Sequence, residues 1–438
     1  MIIQEIYKLF LKSSGVVIDS RKVKYNDFFV ALKGENFDAN TFAKQALEQG
    51  ALCVVIDNPD YFIDHRTILV EDSLQTLQQL ANYHRRELKL PIIALTGSNG
   101  KTTTKELLHA VLSQKYNTKA TVGNLNNHIG VPLTLLSFDY KTEIGIVEMG
   151  ANHQKEIEFL CSIAEPNLGY ITNFGKAHLE GFGGIEGVIK GKSELYQYLK
   201  DYPEELEDED LDNRKKVFVN WDDSIQVEKS EGLHQISFSF KNTQADLFIH
   251  SMSANPFVKV AFADAQIESH LIGAYNATNI AVAIAVGRYF KIDDANIKKA
   301  IESYIPANNR SQILEKNNHK IILDAYNANP SSMKVAIENF LNLEVSPKVM
   351  ILGDMFELGQ ESIMEHKNIV LLLEKEQTIQ VFFVGNDFYA NKVSKDNFRF
   401  FESYAELSQY LTENKLADSH ILIKGSRGMA LERTLELL

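Results

Sequence analysis

A short glycine-containing segment, Thr96–Thr104 (TGSNGKTTT), has the residue types of a phosphate-binding loop. The usual loop, G-x-x-x-x-G-K-[ST], would place its first glycine five positions before Gly100, but that position is Leu95. An apolar, strand-like run precedes the segment, and Lys101 and Thr102 open a helix whose first N–H groups attract anions. The segment therefore predicts nucleotide binding, with Lys101 at the β- and γ-phosphates and Thr102 on Mg²⁺. The alternative is an ordinary glycine-rich turn.

Three further residues have side chains that could bind a metal ion or a phosphate. Glu148 ends the predicted strand EIGIVEMG, and the carboxyl ends of parallel strands meet at one edge of a sheet. We therefore expect Glu148 to bind Mg²⁺ beside the phosphate loop. His178, in NFGKAHLE, and Lys192, in VIKGKSELY, are ambiguous from the residues alone. An isolated histidine is usually structural, and a lysine is usually solvated or paired with a phosphate.

Two asparagines and one acidic run also have more than one interpretation. Asn276 and Asn279 lie three apart on one face of a predicted helix, where their amides suit the edge of a purine. Asn276 equally suits the N-cap of that helix. The acidic run Pro203–Asp212 (PEELEDEDLD) predicts a solvated loop or helix end rather than a metal site.

The composition of the whole chain restricts the classes of function. The 438 residues are 45% hydrophobic, and a formal net charge of −13 argues against general nucleic-acid binding. Cys53 and Cys161 both lie in apolar segments, so we expect neither a disulfide framework nor a thiolate metal site. The N-terminus lacks a signal-peptide pattern, and no apolar run reaches about 18 residues. We therefore expect a cytoplasmic protein without membrane insertion.

Length and hydrophobic pattern predict an α/β protein of three domains. A small α/β N-terminal domain is predicted for residues 1–88 and a central P-loop ATPase domain with a parallel sheet for residues 89–307. A Rossmann-like α/β C-terminal domain is predicted for residues 308–438. There the strands KIILDAY, KVMILGD, VFFVGN and HILIKG alternate with helices, which favours a parallel sheet covered on both faces.

Several separated motifs together resemble the ATP-dependent Mur ligases of peptidoglycan synthesis. The compact loop TGSNGKTTT is similar to that family's own form of the phosphate cradle, which accounts for its length. The other matching motifs are GNLNNHIGVPLTLL, VEMGANHQKEI, ITNFGKAHLEGFG, DAYNANPSSMKVAI, LGDMFELG and KGSRGMALE, and the resemblance extends over essentially the whole chain. They look most like the family members that add D-alanyl-D-alanine to UDP-N-acetylmuramoyl-tripeptide.

This resemblance implies a role for each of a set of residues. It implies that ATP is bound by Gly97, Ser98, Asn99, Gly100, Lys101, Thr102, Thr103, Asn279, Arg310 and Asp324. It implies two Mg²⁺ sites with the ligands Thr102, Glu148, His178 and Lys192, the lysine as a carbamate formed with CO₂. It implies substrate contacts from Ser20, Arg21, Asn124, Asn127, Tyr326 and Asn329. The residues that it implies for catalysis are Lys101, Lys192 and Arg310.

Two positions need comment against the family pattern. Lys192 is preferred to Lys190 as the carbamylated residue because Ser193–Leu195 continue the family's lysine-small-Glu-hydrophobic pattern. Asn40 stands where these ligases often have a histidine, which bears on how the uracil is bound. His128 stands where an acidic or amide residue is common, and it has no assigned role.

The resemblance implies an ADP-forming ligase that acts through an acyl phosphate. Its expected partners are UDP-N-acetylmuramoyl-tripeptide and D-alanyl-D-alanine, with no nucleic acid, and the chain is expected to be a monomer. One alternative keeps the ligase fold and changes the substrate, as in another Mur-type ligase or a folylpolyglutamate synthase. Another is a nucleotide-gated binding protein without ligase activity. Phosphate release that requires both substrates would separate these possibilities.

Overall fold

The computed structural model describes residues 2–202, 215–306 and 310–438. The acidic run Pro203–Asp212 and the predicted boundary between residues 307 and 308 lie outside these ranges. Within them, no helix is both long enough and apolar enough to cross a membrane. The two cysteines, Cys53 and Cys161, are free and buried, as expected from their apolar segments.

The N-terminal unit is a small parallel sheet flanked by helices. Its strands are β1 (Val16–Val17), β2 (Phe28–Val30), β3 (Lys33–Gly34), β4 (Phe37–Asp38), β5 (Cys53–Ile56) and β6 (Thr67–Leu69). Its helices are α1 (Ile3–Phe10), α2 (Ala43–Glu48) and α3 (Ser73–Leu88). The sheet order is β1-β2-β5-β6, and β3 and β4 form a separate hairpin. Helix α3 packs against both α1 and the central unit, so the two units share one hydrophobic core.

The central unit is built on a large, mostly parallel sheet. Its strands are β7 (Ile92–Thr96), β8 (Thr118–Ala120), β9 (Ile144–Glu148), β10 (Leu168–Ile171), β11 (Lys216–Asn220), β12 (His234–Ser239), β13 (Leu247–Ala254), β14 (Phe257–Phe262) and β15 (Ala265–Ile272). Its helices are α4 (Lys101–Leu112), α5 (Gly130–Leu136), α6 (Glu156–Ala164), α7 (Leu179–Phe182), α8 (Ile185–Asp201), α9 (Ser224–Lys229), α10 (Asn276–Tyr289) and α11 (Asp294–Ser303).

The strand order of this sheet places the predicted functional residues at the carboxyl ends of three adjacent strands. The order is β15-β14-β13-β12-β11-β10-β7-β9-β8, so β7 lies between β10 and β9. All three are buried and parallel, and their carboxyl ends lead into the phosphate loop, Glu148 and the segment that contains His178. Strands β13 to β15 pair antiparallel, because the two-residue connections between them are too short for a parallel crossover.

The C-terminal unit is a second α/β sheet. Its strands are β16 (Gln312–Lys316), β17 (His319–Asp324), β18 (Lys348–Gly353), β19 (Ile379–Val384), β20 (Phe398–Phe401) and β21 (His420–Lys424). Its helices are α12 (Pro330–Asn342), α13 (Ser362–Leu373), α14 (Asn386–Ala390) and α15 (Tyr404–Glu413). The order is β16-β17-β21-β18-β19-β20. The α/β class is confirmed, whereas the domain boundaries stay predictions.

One edge strand of this unit departs from the predicted parallel arrangement. Strand β16 pairs antiparallel with β17, whereas the remaining neighbours are parallel. The two strands are joined by Asn317 and Asn318, whose φ angles are 47° and 68°. Two left-handed residues favour a tight hairpin, and asparagine tolerates that conformation. The turn therefore fixes the antiparallel edge.

Candidate active site

The loop between β7 and α4 is shaped by two glycines with left-handed backbones. The φ angles of Gly97 and Gly100 are 141° and 80°. A Cβ on Gly97 would lie 2.0 Å from Thr172 Oγ1, and one on Gly100 would lie 2.9 Å from Asn279 Oδ1. Neither position therefore accommodates a side chain without a shift. Gly100 is the N-cap of α4 and has no side chain to offer, so the first N–H groups of the helix remain available to an anion.

Lys101 is the first residue of α4 and folds back over this loop. Its Nζ donates to the Gly97 carbonyl at 2.6 Å and to the Ser98 carbonyl at 3.4 Å. Burial lowers the pKa of Lys101; Glu148 opposes that change and Arg310 adds to it. Lys101, from the central unit, and Arg310, from the C-terminal unit, both line the cavity between these units. Cations around the phosphates are part of what phosphoryl transfer requires.

Glu148, at the end of β9, is 1% exposed and has polar partners on both carboxylate oxygens. Thr102 Oγ1 donates to its Oε2 at 3.0 Å, and Asn126 Nδ2 donates to its Oε1 at 2.8 Å. The ammonium of Lys105 lies 3.7 Å from Oε2. A hydroxyl and a carboxylate side by side are oxygen ligands of the kind that Mg²⁺ prefers. Thr102 and Glu148 thus fit the predicted metal.

The sequence interpretation missed Asn126 and Lys105. Signals for both were present. Lys105 follows Lys101 by four residues on the same helix, which places the two side chains on one face. Asn126 belongs to the quoted motif GNLNNHIGVPLTLL, from which the two neighbouring asparagines Asn124 and Asn127 were chosen instead.

His178 and Lys192 have other partners in the structure. The Nδ1 atom of His178 lies against the carboxylate of Glu357, and hydrogen bonding to His178 lowers the pKa of Glu357. Lys192 is 1% exposed, and its Nζ donates to the Ala151 carbonyl at 2.9 Å and lies 4.9 Å from the ring centroid of Phe182. No group of three or more His, Cys, Asp or Glu in the described chain could hold a metal ion. Only Glu148 and His178 of the four predicted ligands are of these types, so the predicted set of ligands stays a prediction.

Burial separates Lys192 from the competing Lys190. Both lie on α8, but Lys190 is exposed and Lys192 is buried. Burial lowers the pKa of Lys192 well below its ordinary value, and the nearby Lys101 lowers it further. The neighbouring Glu194 accepts hydrogen bonds from two backbone N–H groups at the start of α6, those of Lys155 at 2.6 Å and Glu158 at 3.1 Å. These contacts hold α8, and with it Lys192, against α6.

The C-terminal unit contributes Arg310, Asp324 and Tyr326. The guanidinium of Arg310 lies 3.7 Å from the ring centroid of Tyr326. Asp324, at the end of β17, accepts from the Ser311 N–H at 3.2 Å and from Lys424 Nζ at 2.5 Å. Arg310 thus has a fixed stacking partner at its side, and Asp324 is already paired with a buried lysine.

The start of α12 connects the C-terminal unit with the phosphate loop. Asn329 is the N-cap of α12 and accepts from the Ser332 N–H at 2.9 Å. Its Nδ2 donates to Asn99 Oδ1 at 2.7 Å. Ser331 Oγ accepts from the backbone N–H of Lys176 at 2.9 Å. The side chain of Asn329 therefore caps its own helix and bridges two units at once.

The predicted substrate residues fall into two places. Asn124 and Asn127 line the cavity beside the phosphate loop, and Asn127 Oδ1 also accepts from the N–H groups of residues 129 and 130 at the start of α5. Arg21 pairs with Asp19 at 2.9 Å, and its side chain is 85% exposed. Ser20 begins the same short 3₁₀ helix on the N-terminal unit. Neither Ser20 nor Arg21 is among the described residues that line the cavity.

Two asparagines have structural partners. Asn40 is fully buried, and its amide bonds the side chain and the backbone N–H of Asp57. The N-cap interpretation of Asn276 is wrong, because Tyr275 is the N-cap of α10 and Asn276 Nδ2 donates to the Ile272 carbonyl at 2.7 Å. Asn279 accepts from Thr104 Oγ1 at 3.1 Å, beside Gly100.

A cavity of about 1330 Å³ joins these groups. The predicted residues that line it are Ser98, Asn99, Gly100, Lys101, Thr102, Thr103, Asn124, Asn127, Glu148, His178, Asn279, Arg310, Asp324, Tyr326 and Asn329. Gly97 and Lys192 are not in that lining, although the carbonyl of Gly97 contacts Lys101. The cavity thus lies between the central and C-terminal units.

Family models match three consecutive parts of this chain. The model described as "Mur ligase family, catalytic domain" matches residues 12–85, "Mur ligase middle domain" matches 95–287, and "Mur ligase, glutamate ligase domain" matches 309–427. The UDP-N-acetylmuramoyl-tripeptide--D-alanyl-D-alanine ligase of Bacillus subtilis is 35% identical over a match that covers 95% of this chain and 91% of that protein. The chain belongs to the Mur ligase family. The resemblance inferred from the motifs is confirmed.

Solved structures of Mur ligases have the same architecture. MurF from Acinetobacter baumannii superposes with a TM-score of 0.85 at 30% identity, covering 99% of this chain and 97% of that one. The MurF ligase from Thermotoga maritima, solved in complex with ADP, superposes with a TM-score of 0.82 at 26% identity, covering 98% and 97%. The ADP bound to that relative agrees with the ATP use that the compact loop predicts for this Mur ligase.

Proposed function

We propose that this Mur ligase joins D-alanyl-D-alanine to UDP-N-acetylmuramoyl-tripeptide with the conversion of ATP to ADP and phosphate. The observation that carries the proposal is the match, along nearly its whole length, to the Bacillus subtilis ligase named for that reaction. The geometry adds a phosphate loop, two converging cations and a buried carboxylate around one large cavity. Another Mur-type substrate is the alternative.

Forming a peptide bond from a carboxylate requires activation, because the carboxylate anion is a poor electrophile. In the proposed reaction a tripeptide carboxylate oxygen attacks the γ-phosphorus of ATP, and ADP leaves. The amine of D-alanyl-D-alanine then attacks the resulting acyl phosphate, losing a proton and expelling phosphate. The protein's part is to position the groups and to neutralise charge. Lys101 and Arg310 are the cations proposed for this role.

Thr102 and Glu148 would hold one Mg²⁺, which supplies additional positive charge at the phosphates when it is bound. The hydroxyl and the carboxylate already contact each other at 3.0 Å, inside the cavity. His178 is proposed to contribute to a second ion. It lines the same cavity, and because its Nδ1 is paired with Glu357, its other ring nitrogen, Nε2, would hold the ion.

We propose further that Lys192, not Lys190, is carbamylated. The neutral amine attacks CO₂, forms a nitrogen–carbon bond and releases a proton, which leaves a carbamate that presents oxygen atoms. Only a neutral lysine can react in this way, and burial lowers the pKa of Lys192. The exposed Lys190 has no such environment. The burial of Lys192 and its position in the family's lysine-small-Glu-hydrophobic pattern both support this assignment.

The remaining parts of the proposal concern the substrates and the cellular setting. Ser20 and Arg21 are proposed to bind the UDP portion, for which the fork of an arginine suits a diphosphate. Arg21 would have to exchange Asp19 for the phosphates. We propose that the protein acts in the cytoplasm as a monomer, which light scattering of the purified chain would measure.

A coupled assay of ADP release tests the function. We expect turnover that requires both D-alanyl-D-alanine and a UDP-N-acetylmuramoyl-tripeptide, with single D-alanine a poor acceptor. Tripeptides that end in lysine or in diaminopimelate would define the preference for the third residue. Release of AMP and pyrophosphate would contradict the acyl-phosphate mechanism, and release of ADP without either acceptor or tripeptide would contradict the ligase assignment.

A further inference from the structure

Lys105 is a buried cation that the proposed reaction does not use. It lies on α4, four residues after Lys101, and is 3% exposed. It is not among the described residues that line the cavity. A charge held away from water must be compensated by polar partners, so the contacts of its ammonium indicate what it does.

The ammonium of Lys105 lies where three elements meet. Its Nζ is 3.7 Å from Glu148 Oε2, at the end of β9, and donates to the Gly123 carbonyl at 3.2 Å. Gly123 belongs to residues 121–129, which connect β8 with α5 and which we call the asparagine loop. Lys105 therefore ties α4 both to the proposed Mg²⁺ ligand and to this loop.

The asparagine loop also contacts Glu148 directly. Asn126 Nδ2 donates to Glu148 Oε1 at 2.8 Å, and the Asn126 carbonyl accepts from the Gly150 N–H at 2.7 Å. Oε1 of Glu148 is thus bonded to the loop directly, and Oε2 lies beside Lys105, which is itself bonded to the loop. Asn124 and Asn127, the proposed substrate contacts, flank Asn126 and line the cavity.

We propose that Lys105 is a positioning residue that couples the asparagine loop to the proposed Mg²⁺ ligand Glu148. At 3.7 Å the ammonium neutralises the carboxylate without displacing the hydrogen bond from Thr102 to the same oxygen. Because Lys105 also holds the Gly123 carbonyl, a movement of the loop when substrate binds changes the surroundings of the metal ligand. The coupling rests on the proposed function, since it assigns substrate to the loop and Mg²⁺ to Glu148.

Removing this ammonium has two physical consequences. The buried carboxylate of Glu148 loses a compensating charge, which is costly when the partner stays buried. The Gly123 carbonyl also loses its donor, so the asparagine loop is no longer tied to α4. Groups behind a metal ligand typically change metal affinity or activity by about 10- to 100-fold when they are removed.

The test uses Lys105→Met, which keeps the length of the side chain and removes its charge, and Lys105→Arg, which keeps the charge. Lys119→Met is the matched control, because Lys119 forms an ion pair with Asp139 at 2.9 Å on the surface of the same unit. Calorimetry measures ADP binding to the full chain without metal and at increasing Mg²⁺. We expect Lys105→Met to raise the Mg²⁺ concentration required for tight ADP binding by about 10- to 100-fold, while metal-free ADP binding is unchanged.

The rate of the ligase reaction provides a second test. We expect Lys105→Met to raise the KM for the UDP-linked substrate as well, Lys105→Arg to recover most of both effects, and Lys119→Met to match the wild type. An unchanged Mg²⁺ requirement would overturn the proposal. So would an equal loss of metal-free ADP binding, because that result would indicate general damage to the phosphate loop.

A second variant keeps the proposal testable if Lys105→Met does not fold. Asn126→Ala leaves the ion pair in place and removes only the loop's hydrogen bond to Glu148. We expect the Mg²⁺ requirement to rise in the same direction, and an unchanged value would refute the coupling. The calorimetric measurement needs no UDP-linked substrate. Failure of the proposed ligase function would therefore appear in the turnover of the wild type, whereas failure of the coupling would appear in the Mg²⁺ requirement of the variants.

Discussion

The two parts of the proposed metal site differ in how complete they are. The first half-site, Thr102 and Glu148, lies within the central unit, and its two side chains contact each other at 3.0 Å. The second half-site, His178 and Lys192, has partners elsewhere: Glu357 of the C-terminal unit and the backbone of Ala151. One half-site already has its two side chains in contact, whereas the other depends on carbamylation of Lys192 and on a histidine that is held by the C-terminal unit.

This difference follows from how the fold positions each group. Glu148 ends β9, the parallel strand that pairs with β7, and Thr102 lies in the first turn of α4, just after the phosphate loop that follows β7. His178 lies in a connecting segment with a left-handed backbone, and its φ is 53°. Its partner Glu357 belongs to another unit of the chain. The first half-site should therefore respond to mutation independently of the C-terminal unit, whereas the second should depend on it.

The largest effect is expected in the first half-site. Glu148→Ala removes the proposed Mg²⁺ ligand, and Lys101→Ala removes a cation from the phosphates. Each should lower turnover by about 10²-fold or more, as expected when a preorganised electrostatic partner is lost. ADP release measures the rate, and circular dichroism checks the fold. Glu143→Ala is the control, because Glu143 is an exposed carboxylate just before the same strand. Unchanged turnover in a folded Glu148 or Lys101 variant would remove that residue from the site.

In the second half-site, Lys192→Ala should remove most of the ligase turnover, because the carbamate oxygens would be absent. Acetate should restore part of the activity by placing a carboxylate where the carbamate stood. A carbon-13 resonance from labelled CO₂ should appear in the wild type and disappear in the variant. Lys190→Ala should be nearly silent, since that side chain is exposed. If acetate rescued Lys190→Ala instead, the assignment would be two residues out of register.

The same comparison shows how far sequence reasoning can reach. The positions of Lys101, Thr102 and Glu148 followed from strand–turn–helix physics, because parallel strands bring their carboxyl ends together. Lys192 could not be distinguished by its residue type, since its burial arises from the packing of α8 against Phe182 and Ala151. Tertiary contacts between segments distant in the chain decide its environment, and no local pattern records them.

Contacts between units were equally invisible to the sequence analysis. The pairing of His178 with Glu357 and the hydrogen bond from Asn329 to Asn99 join residues far apart in the chain. Neither has a local signature. By contrast, the hairpin that begins the C-terminal sheet could have been predicted, because its turn is an Asn-Asn pair between the strand-like segments QILEK and HKIILD.

A smaller effect is expected where the C-terminal unit contacts the phosphate loop, at Asn99. Asn329→Ser keeps a side-chain oxygen to cap α12 and adds no charge, but it loses the Nδ2 that donates to Asn99. One net hydrogen bond is worth about 1 kcal/mol, so ATP binding should weaken by about fivefold with little change in stability. Asn329→Ala removes the cap as well and should lower the free energy of unfolding by a further ~1 kcal/mol. Calorimetry and chemical denaturation measure the two quantities. Equal ATP affinities in wild type and Asn329→Ser would show that the bridge does not support nucleotide binding.

The smallest effect should come from Glu357→Gln, which breaks the ion pair that holds His178. The side chain of Glu357 is 56% exposed, and exposed pairs contribute only about 0–1 kcal/mol. The pKa of Glu357 is lowered from its ordinary 4.5 by the hydrogen bond with His178. A lowered carboxyl pKa gives stability that is fully present above the ordinary value and is lost as the pH falls through the lower folded value. Wild type and Glu357→Gln should therefore differ slightly at about pH 5, above the ordinary pKa of a glutamate, and converge at lower pH in denaturation experiments. The side-chain oxygen of glutamine can still accept a hydrogen bond from Nδ1 of His178, so the second half-site should bind Mg²⁺ about as tightly as in the wild type. A marked loss of Mg²⁺ affinity in Glu357→Gln would mean that the charge of Glu357 supports the metal site.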